Sequence, residues 1–243
     1  MRILTHHVVA SSCAVATFLI IGINVQTTYL PFWLQASRGF NAQKSGLLIL
    51  PLAASNPISA LVAGAIASRT GHYIPLILSS GAITAVGYGL LSTLDTSSSM
   101  AQIIGYQLVA GIGFGFGVQL PLTAMRHALP DDDMPIANSL LIFFQSLGNS
   151  LSQSGGQAVF LGAFTAALGA ELPPTEVQHI SELGAGNIDA QHVGQDLLPI
   201  VIEAYGLGMR HASYLTAASS CAAFVCSWGM ISRDKGGNKE NNA

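Results

Sequence analysis

The chain has 243 residues, of which 50% are hydrophobic, with a mean hydropathy of +0.51 and a formal net charge of −3. Only 9% are Asp, Glu, Lys or Arg, against about 25% in an average soluble domain, which is too little charge to cover the surface of a water-soluble protein of this length. The composition points to a membrane protein, and the few basic residues lie scattered with no patch, which excludes nucleic acid as a partner.

A bilayer's hydrocarbon core takes about 20 helical residues to cross. Six runs free of Asp, Glu, Lys and Arg are each long enough for one span: Arg2 to Arg38, Lys44 to Arg69, Arg69 to Asp95, Asp95 to Arg126, Asp133 to Glu171, and Arg210 to Arg233. They predict an all-α membrane protein with six transmembrane helices in a single bundle over 1–233. The spans fall at about 8–32, 45–68, 73–94, 101–124, 135–163 and 211–232, with an outer loop over 164–210 and a short cytoplasmic polar tail over 234–243.

The first span begins MRILTHHVVASSCAVATFLI, a basic start and an apolar run like a signal peptide. The apolar stretch continues through TTYLPFWLQA, too long for a signal's h-region. Within it Asn24, Thr28 and Gln35 share a face, and Gln26 points elsewhere. Asn56-Pro57 interrupts the second span. Ser68-Arg69-Thr70-Gly71-His72 and Asp95-Thr96-Ser97-Ser98-Ser99 form polar turns on either side of the third.

The fourth span carries GIGFGFGVQLP over 111–121. Positions two apart on a helix point about 200° apart, whereas positions four apart nearly coincide. The segment is therefore two interleaved GxxxG pairs, Gly111 with Gly115 and Gly113 with Gly117, each clearing one of two roughly opposite faces for close helix approach. Gln107 and Gln119 flank the segment, and Pro121 bends or ends the helix. The acids of Leu129-Pro130-Asp131-Asp132-Asp133 favour the N-terminus of the next helix.

The fifth span holds Asn138, Gln145, Asn149, Gln153 and Gln157 at steps of seven, four, four and four, so all stay on one slowly drifting face. Phe143, Phe144, Leu147 and Leu151 lie beside or opposite it. Polar side chains in hydrocarbon are costly unless paired or facing water. The stripe either lines a water-filled path or forms interhelical hydrogen bonds at about 0.6 kcal/mol each, and five amides are many for packing alone. The substrate-cavity candidates are Asn24, Thr28, Gln107, Gln119, Asn138, Phe144, Gln145, Asn149 and Gln153. Beyond this span, DLLPIVIEAYG (196–206) reads as an amphipathic helix leading into the last one.

Six spans put both termini on one side. With the N-terminus inside, Arg2, Arg69, Arg126, Arg233, Lys235 and Lys239 are cytoplasmic, while Arg38, Lys44 and Arg210 lie outside, favouring cytoplasmic termini. No HExxH, CxxC, GxSxG or GxxxxGK[ST] pattern occurs. Cys13, Cys221 and Cys226 sit in apolar runs without paired spacing. No catalytic constellation, metal site or cofactor motif emerges, and no Asp, Glu, Lys or Arg falls at the centre of any predicted span.

Two sets of residues carry a family resemblance. Gly64-Ala-Ile-Ala-Ser68-Arg69-Thr-Gly71-His72-Tyr73 resembles a degenerate GxxxDRxGRR signature of the major facilitator superfamily, with Gly64, Arg69 and Gly71 matching and Ser68 in place of the acid. TYLPFWLQA (28–36), SGLLILPL (45–52), GYQLVAGIGFGFGVQLPLTA (105–124), ALPDDDMPIANSLLIFFQSLGNS (128–150), AYGLGM (204–209) and WGM (228–230) resemble the C-terminal half of fungal fourteen-span drug:proton antiporters, which include mycotoxin efflux pumps. The resemblance implies a plasma-membrane exporter of small amphipathic compounds, working by alternating access between two helical halves with proton coupling. A complete member has two such halves, and this chain matches one. Three readings follow: an exporter represented by its C-terminal half, a six-span partner or regulator of full-length carriers without transport of its own, and a carrier built from two copies of the chain.

Overall fold

In the computed structural model, residues 3, 6–71, 73–183 and 193–231 are described. Arg2, His72, Asp189, His192, Arg233 and the polar tail with Lys235 and Lys239 lie outside them. The elements are α1 (His7–Arg38), α2 (Ala42–Leu47), α3 (Leu50–Thr70), α4 (Ile74–Leu91), α5 (Met100–Val118), α6 (Leu120–Ala128), a 3₁₀ turn (Asp131–Asp133), α7 (Met134–Gly169), α8 (Pro174–Leu183) and α9 (Leu198–Ile231). No strand occurs among the described residues.

Four of the rods are long and apolar enough to cross a membrane: α1, the α2–α3 pair, α4 and the α5–α6 pair. The other two long helices, α7 with 36 residues and α9 with 34, exceed the length needed, and polar residues lower their hydropathy. At 1.5 Å per residue α7 is about 54 Å long, well beyond a hydrocarbon core of about 30 Å.

These lengths correct several expected limits. The region 164–210 is not one loop: α7 runs to Gly169, α8 occupies part of it, and α9 begins at Leu198, so the amphipathic stretch over 196–206 is the start of the last helix. Asn56-Pro57 does not break the second rod, because Pro57 lies inside a continuous α3; the break falls at Leu48–Ile49. Pro121 stands in the first turn of α6, where its missing N–H leaves no bond unmade, and the fourth rod breaks at Gln119.

Local signals explain the termini. Gly39 and Gly71 close α1 and α3 at φ 61° and 68°, and each donates its N–H back into its helix. α5 begins with a capping box: the Ser99 hydroxyl accepts from the Gln102 N–H, and the Gln102 side chain accepts from the Ser99 N–H. Ser99→Ala is expected to cost about 1 kcal/mol, read as a lower melting temperature of the purified chain in detergent.

The α5 glycines set the packing of one half of the bundle. A Cβ on Gly111 would meet the Ser55 hydroxyl and lie 2.8 Å from the Leu52 carbonyl oxygen; one on Gly115 would meet Ser59 and the Asn56 carbonyl oxygen. Both therefore face α3. On the other side, a Cβ on Gly113 would meet the Thr84 amide and lie 2.6 Å from its hydroxyl, and one on Gly117 would meet Ser80 and lie 2.6 Å from Leu19 Cδ1. Gly113 and Gly117 thus face α4, with α1 behind. Small residues let backbones approach where lipid supplies no hydrophobic drive between helices.

The layer α3–α5–α4 continues through α9 to α1 and α7, with α3 and α7 at the two margins. Gly81 packs on the backbone of Phe224 in α9, and Gly22 of α1 receives the Tyr88 ring beside Ser219 and Ser220. The largest apolar cluster joins Tyr29, Leu30, Trp33, Phe160, Phe164 and Tyr205 at the end of the bundle where α9 begins.

Candidate substrate cavity

Along α7 a buried ridge runs at intervals of four through Gly148, Ser152, Gly156, Phe160 and Phe164. Asn149, Gln153 and Gln157 each follow a ridge residue by one position, so they lie about 100° round the helix. Leu147 and Leu151 occupy the opposite flank and are exposed. The helix therefore has a packed ridge with one amide-rich and one apolar flank.

The ridge fits α1 closely. A Cβ on Gly148 would lie 2.9 Å from the Thr17 carbonyl oxygen, and one on Gly156 would lie 3.0 Å from Val25 and 3.1 Å from the Tyr29 ring. The Thr17 hydroxyl donates to the Phe144 carbonyl oxygen at 3.1 Å, and Tyr29 stacks on Phe160 with centroids 4.8 Å apart. Residue numbers rise together in these contacts, so α1 and α7 run parallel. That approach brings Asn24 Nδ2 to donate to Asn149 Oδ1 across the seam. Thr28 and Gln153 each stand four residues further along, so the helical register places both on the same polar seam, with Gln157 beyond.

The remaining candidates divide. Asn138 lines a 540 Å³ recess at the α6–α7 end with Arg126, Asp131 and Met134. Gln145 is half-buried and Gln119 is exposed at the α5–α6 break. Phe144 packs half-buried against the cluster that includes Cys13, Met125 and Leu141, while Phe143 stands exposed beside it. Gln107 is fully buried and donates to the Ile103 carbonyl oxygen of its own helix at 3.1 Å; it lies in the packed interior, away from the seam. Gln35 donates to the Pro31 carbonyl oxygen at 3.2 Å.

In the loop motif Gly64 is exposed, and the Ser68 hydroxyl bonds back to the Ala65 carbonyl oxygen at 3.0 Å. Arg69 is exposed and makes no hydrogen bond or ion pair among the described residues. Tyr73 stacks on His127, centroids 5.3 Å apart, which ties the start of α4 to the end of α6.

Three features escape a reading by sequence alone. Gln26 is buried with neither amide atom hydrogen-bonded among the described residues; its face differs from that of Asn24, the one signal the sequence offers. Trp33, near the end of α1, is buried in the core. Glu203 and Arg210 lie inside α9, a region whose charges read as loop.

The Major Facilitator Superfamily profile matches residues 2–153. The chain is 36% identical over 229 residues to the MFS-type transporter pigP of Monascus ruber, covering 94% of this chain and 40% of that protein. It is 37% identical over 204 residues to the efflux pump aunC of Aspergillus niger, covering 82% and 39%. It is 34% identical over 238 residues to the MFS acetylaranotin efflux transporter ataA of Aspergillus terreus, covering 96% and 52%. The chain thus spans about two fifths of the length of the first relatives it matches. With membrane-length apolar helices and a family profile over most of its length, this chain is an integral membrane protein and belongs to the Major Facilitator Superfamily.

Proposed function

We propose that the chain forms one six-helix half of an exporter of small amphipathic compounds, with α1 and α7 contributing the polar wall of the path. The observation that carries this reading is the seam of Asn24, Asn149 and Gln153: Asn24 of α1 bonds across to Asn149 of α7, and Asn149 and Gln153 stand exposed on the α7 flank beside it. An exposed amide face is stable in a membrane when it faces water or a second bundle. Alternating access requires such a second bundle, supplied by further polypeptide or by another copy of this chain. The distribution of Lys and Arg favours cytoplasmic termini.

Expression in a plasma membrane devoid of other exporters, with a fluorescent amphipathic compound, tests the proposal. The chain is produced alone and together with the N-terminal bundle of one of the efflux pumps it resembles. Lower cellular accumulation in either case supports export. Unchanged accumulation in both, with the protein present in the membrane, removes it.

A further inference from the structure

A second concavity lies away from the polar seam. It has a volume of about 650 Å³ and opens where the end of α1, the α4–α5 turn and the start of α9 meet. That is within the range of small-molecule sites, roughly 300–1,000 Å³. Its wall combines buried Trp33, apolar Leu198, Ile202 and Leu207, and the charged Asp95, Glu203 and Arg210. Gly206 opens it further: a Cβ there would find no atom within 4 Å.

The charges are ordered by depth. Arg210–Ile231 comprises 22 residues of α9, about 33 Å of helix, which by itself crosses a hydrocarbon core of about 30 Å. This crossing rests on the membrane-spanning role proposed above for α9. It puts Arg210 at the edge of the hydrocarbon, and Glu203, seven residues earlier, about 10 Å further out. Side chains on a helix lean toward its N-terminus, so the Arg210 guanidinium rises toward the level of Gly206. Asp95 stands at the same outer rim on the α4–α5 turn. The Ser97 hydroxyl and amide, and then Ser98, hold its carboxyl below the usual carboxylate range, so it stays ionised at neutral pH.

We propose that this concavity binds one zwitterionic phospholipid, a choline or ethanolamine lipid. Arg210 takes the phosphate beside Gly206, Glu203 and Asp95 take the ammonium at the rim, and the acyl chains run down the apolar wall past Trp33. A phospholipid head carries its phosphate nearer the hydrocarbon and its ammonium farther out, the order in which α9 presents its cation and its acid. An anionic lipid such as a phosphatidylglycerol has no ammonium to pair with the Glu203 and Asp95 carboxylates, and Arg38 at the same turn is already engaged by the Asp95 and Ser98 carbonyl oxygens.

The test uses the Trp228→Phe form of the chain, which leaves Trp33 as the only tryptophan, in vesicles of phosphatidylcholine or phosphatidylglycerol with brominated acyl chains. Trp33 is expected to be quenched several-fold more at equal bromine content by phosphatidylcholine. Gly206→Phe, whose Cβ meets no atom within 4 Å and whose ring occupies the concavity, and the pair Glu203→Gln/Arg210→Gln should each abolish that preference while the helical circular dichroism is kept. Equal quenching by the two lipids, stronger quenching by the anionic one, or a preference untouched in folded variants would each overturn the site. None of these readings depends on transport, so the lipid site and the exporter reading fail separately.

Discussion

Gly113→Ala and Gly115→Ala are each expected to destabilise the bundle by about 1–3 kcal/mol, the usual cost of forcing volume into a packed interior. Gly105→Ala, eight and ten residues earlier on the same helix, should leave stability unchanged or raise it. The three substitutions add the same methyl group to α5, and alanine improves helix propensity in each case by about 1 kcal/mol. They differ in what the methyl meets. At Gly113 it meets the backbone of Ile83 and Thr84, at Gly115 the Asn56 carbonyl, and at Gly105 nothing within 4 Å. Backbone cannot swing aside as the end of a flexible side chain can, so α4 or α3 must be pushed off. Melting of the purified chain in detergent reads the difference. Equal melting temperatures for all three would show that α5 is not gripped from both sides.

The second large effect separates packing from transport at the seam. Asn149→Leu removes the exposed bond from Asn24, and its loss should cost about 1 kcal/mol. The double replacement Asn24→Leu/Asn149→Leu leaves no unpaired amide and should recover most of that stability. Gln153→Leu, on an exposed position with no hydrogen bond among the described residues, should cost nothing. If the seam lines the path, all three forms lose export, by about tenfold where one hydrogen bond worth about 1.4 kcal/mol to the moving compound disappears. Recovery of export along with stability in the double form would reduce Asn24 and Asn149 to packing partners. Efflux assays and detergent melting on the same preparations decide between the two.

Much of this was legible from the residues. Scarce charge announced the membrane, and the spacing of Gly111, Gly113, Gly115 and Gly117 defines two opposite small-residue faces, because helical angle is fixed by sequence separation. The same arithmetic put Asn149 and Gln153 on one face. It could not say which neighbour each face meets. Gln107 and Asn149 are both amides in apolar helices, yet one is sealed inside the bundle and the other stands at an open seam. That depends on the order of helices in space, which no local pattern encodes. The ends of helices were also hidden. Membrane limits follow hydropathy, whereas helices continue through polar residues as long as neighbours support them, as Tyr205 does for α9 by packing on Phe164 with centroids 4.5 Å apart. The Leu48–Ile49 break escaped for a related reason: Asn56-Pro57 carries the stronger breaker, but Pro57 sits on an exposed face where its ring has room.

Where α5 comes closest to α3 and α4, at Gly111, Gly113, Gly115 and Gly117, it meets their backbone and the short side chains of Ser55, Ser59, Ser80 and Thr84. Such residues have few or no rotamers to lose, so this layer assembles with little side-chain entropy cost. It equally has few rotamers with which to adapt. Long side chains let two helices slide by repacking, but a seam in which backbone touches backbone can only stay closed or part. The α3–α5–α4 layer is therefore a stiff plate, and so is its contact with α9 at Gly81, where backbone also meets backbone; any rocking of the bundle must be taken up where the plate meets α1, through the larger side chains of Leu19 and Tyr88.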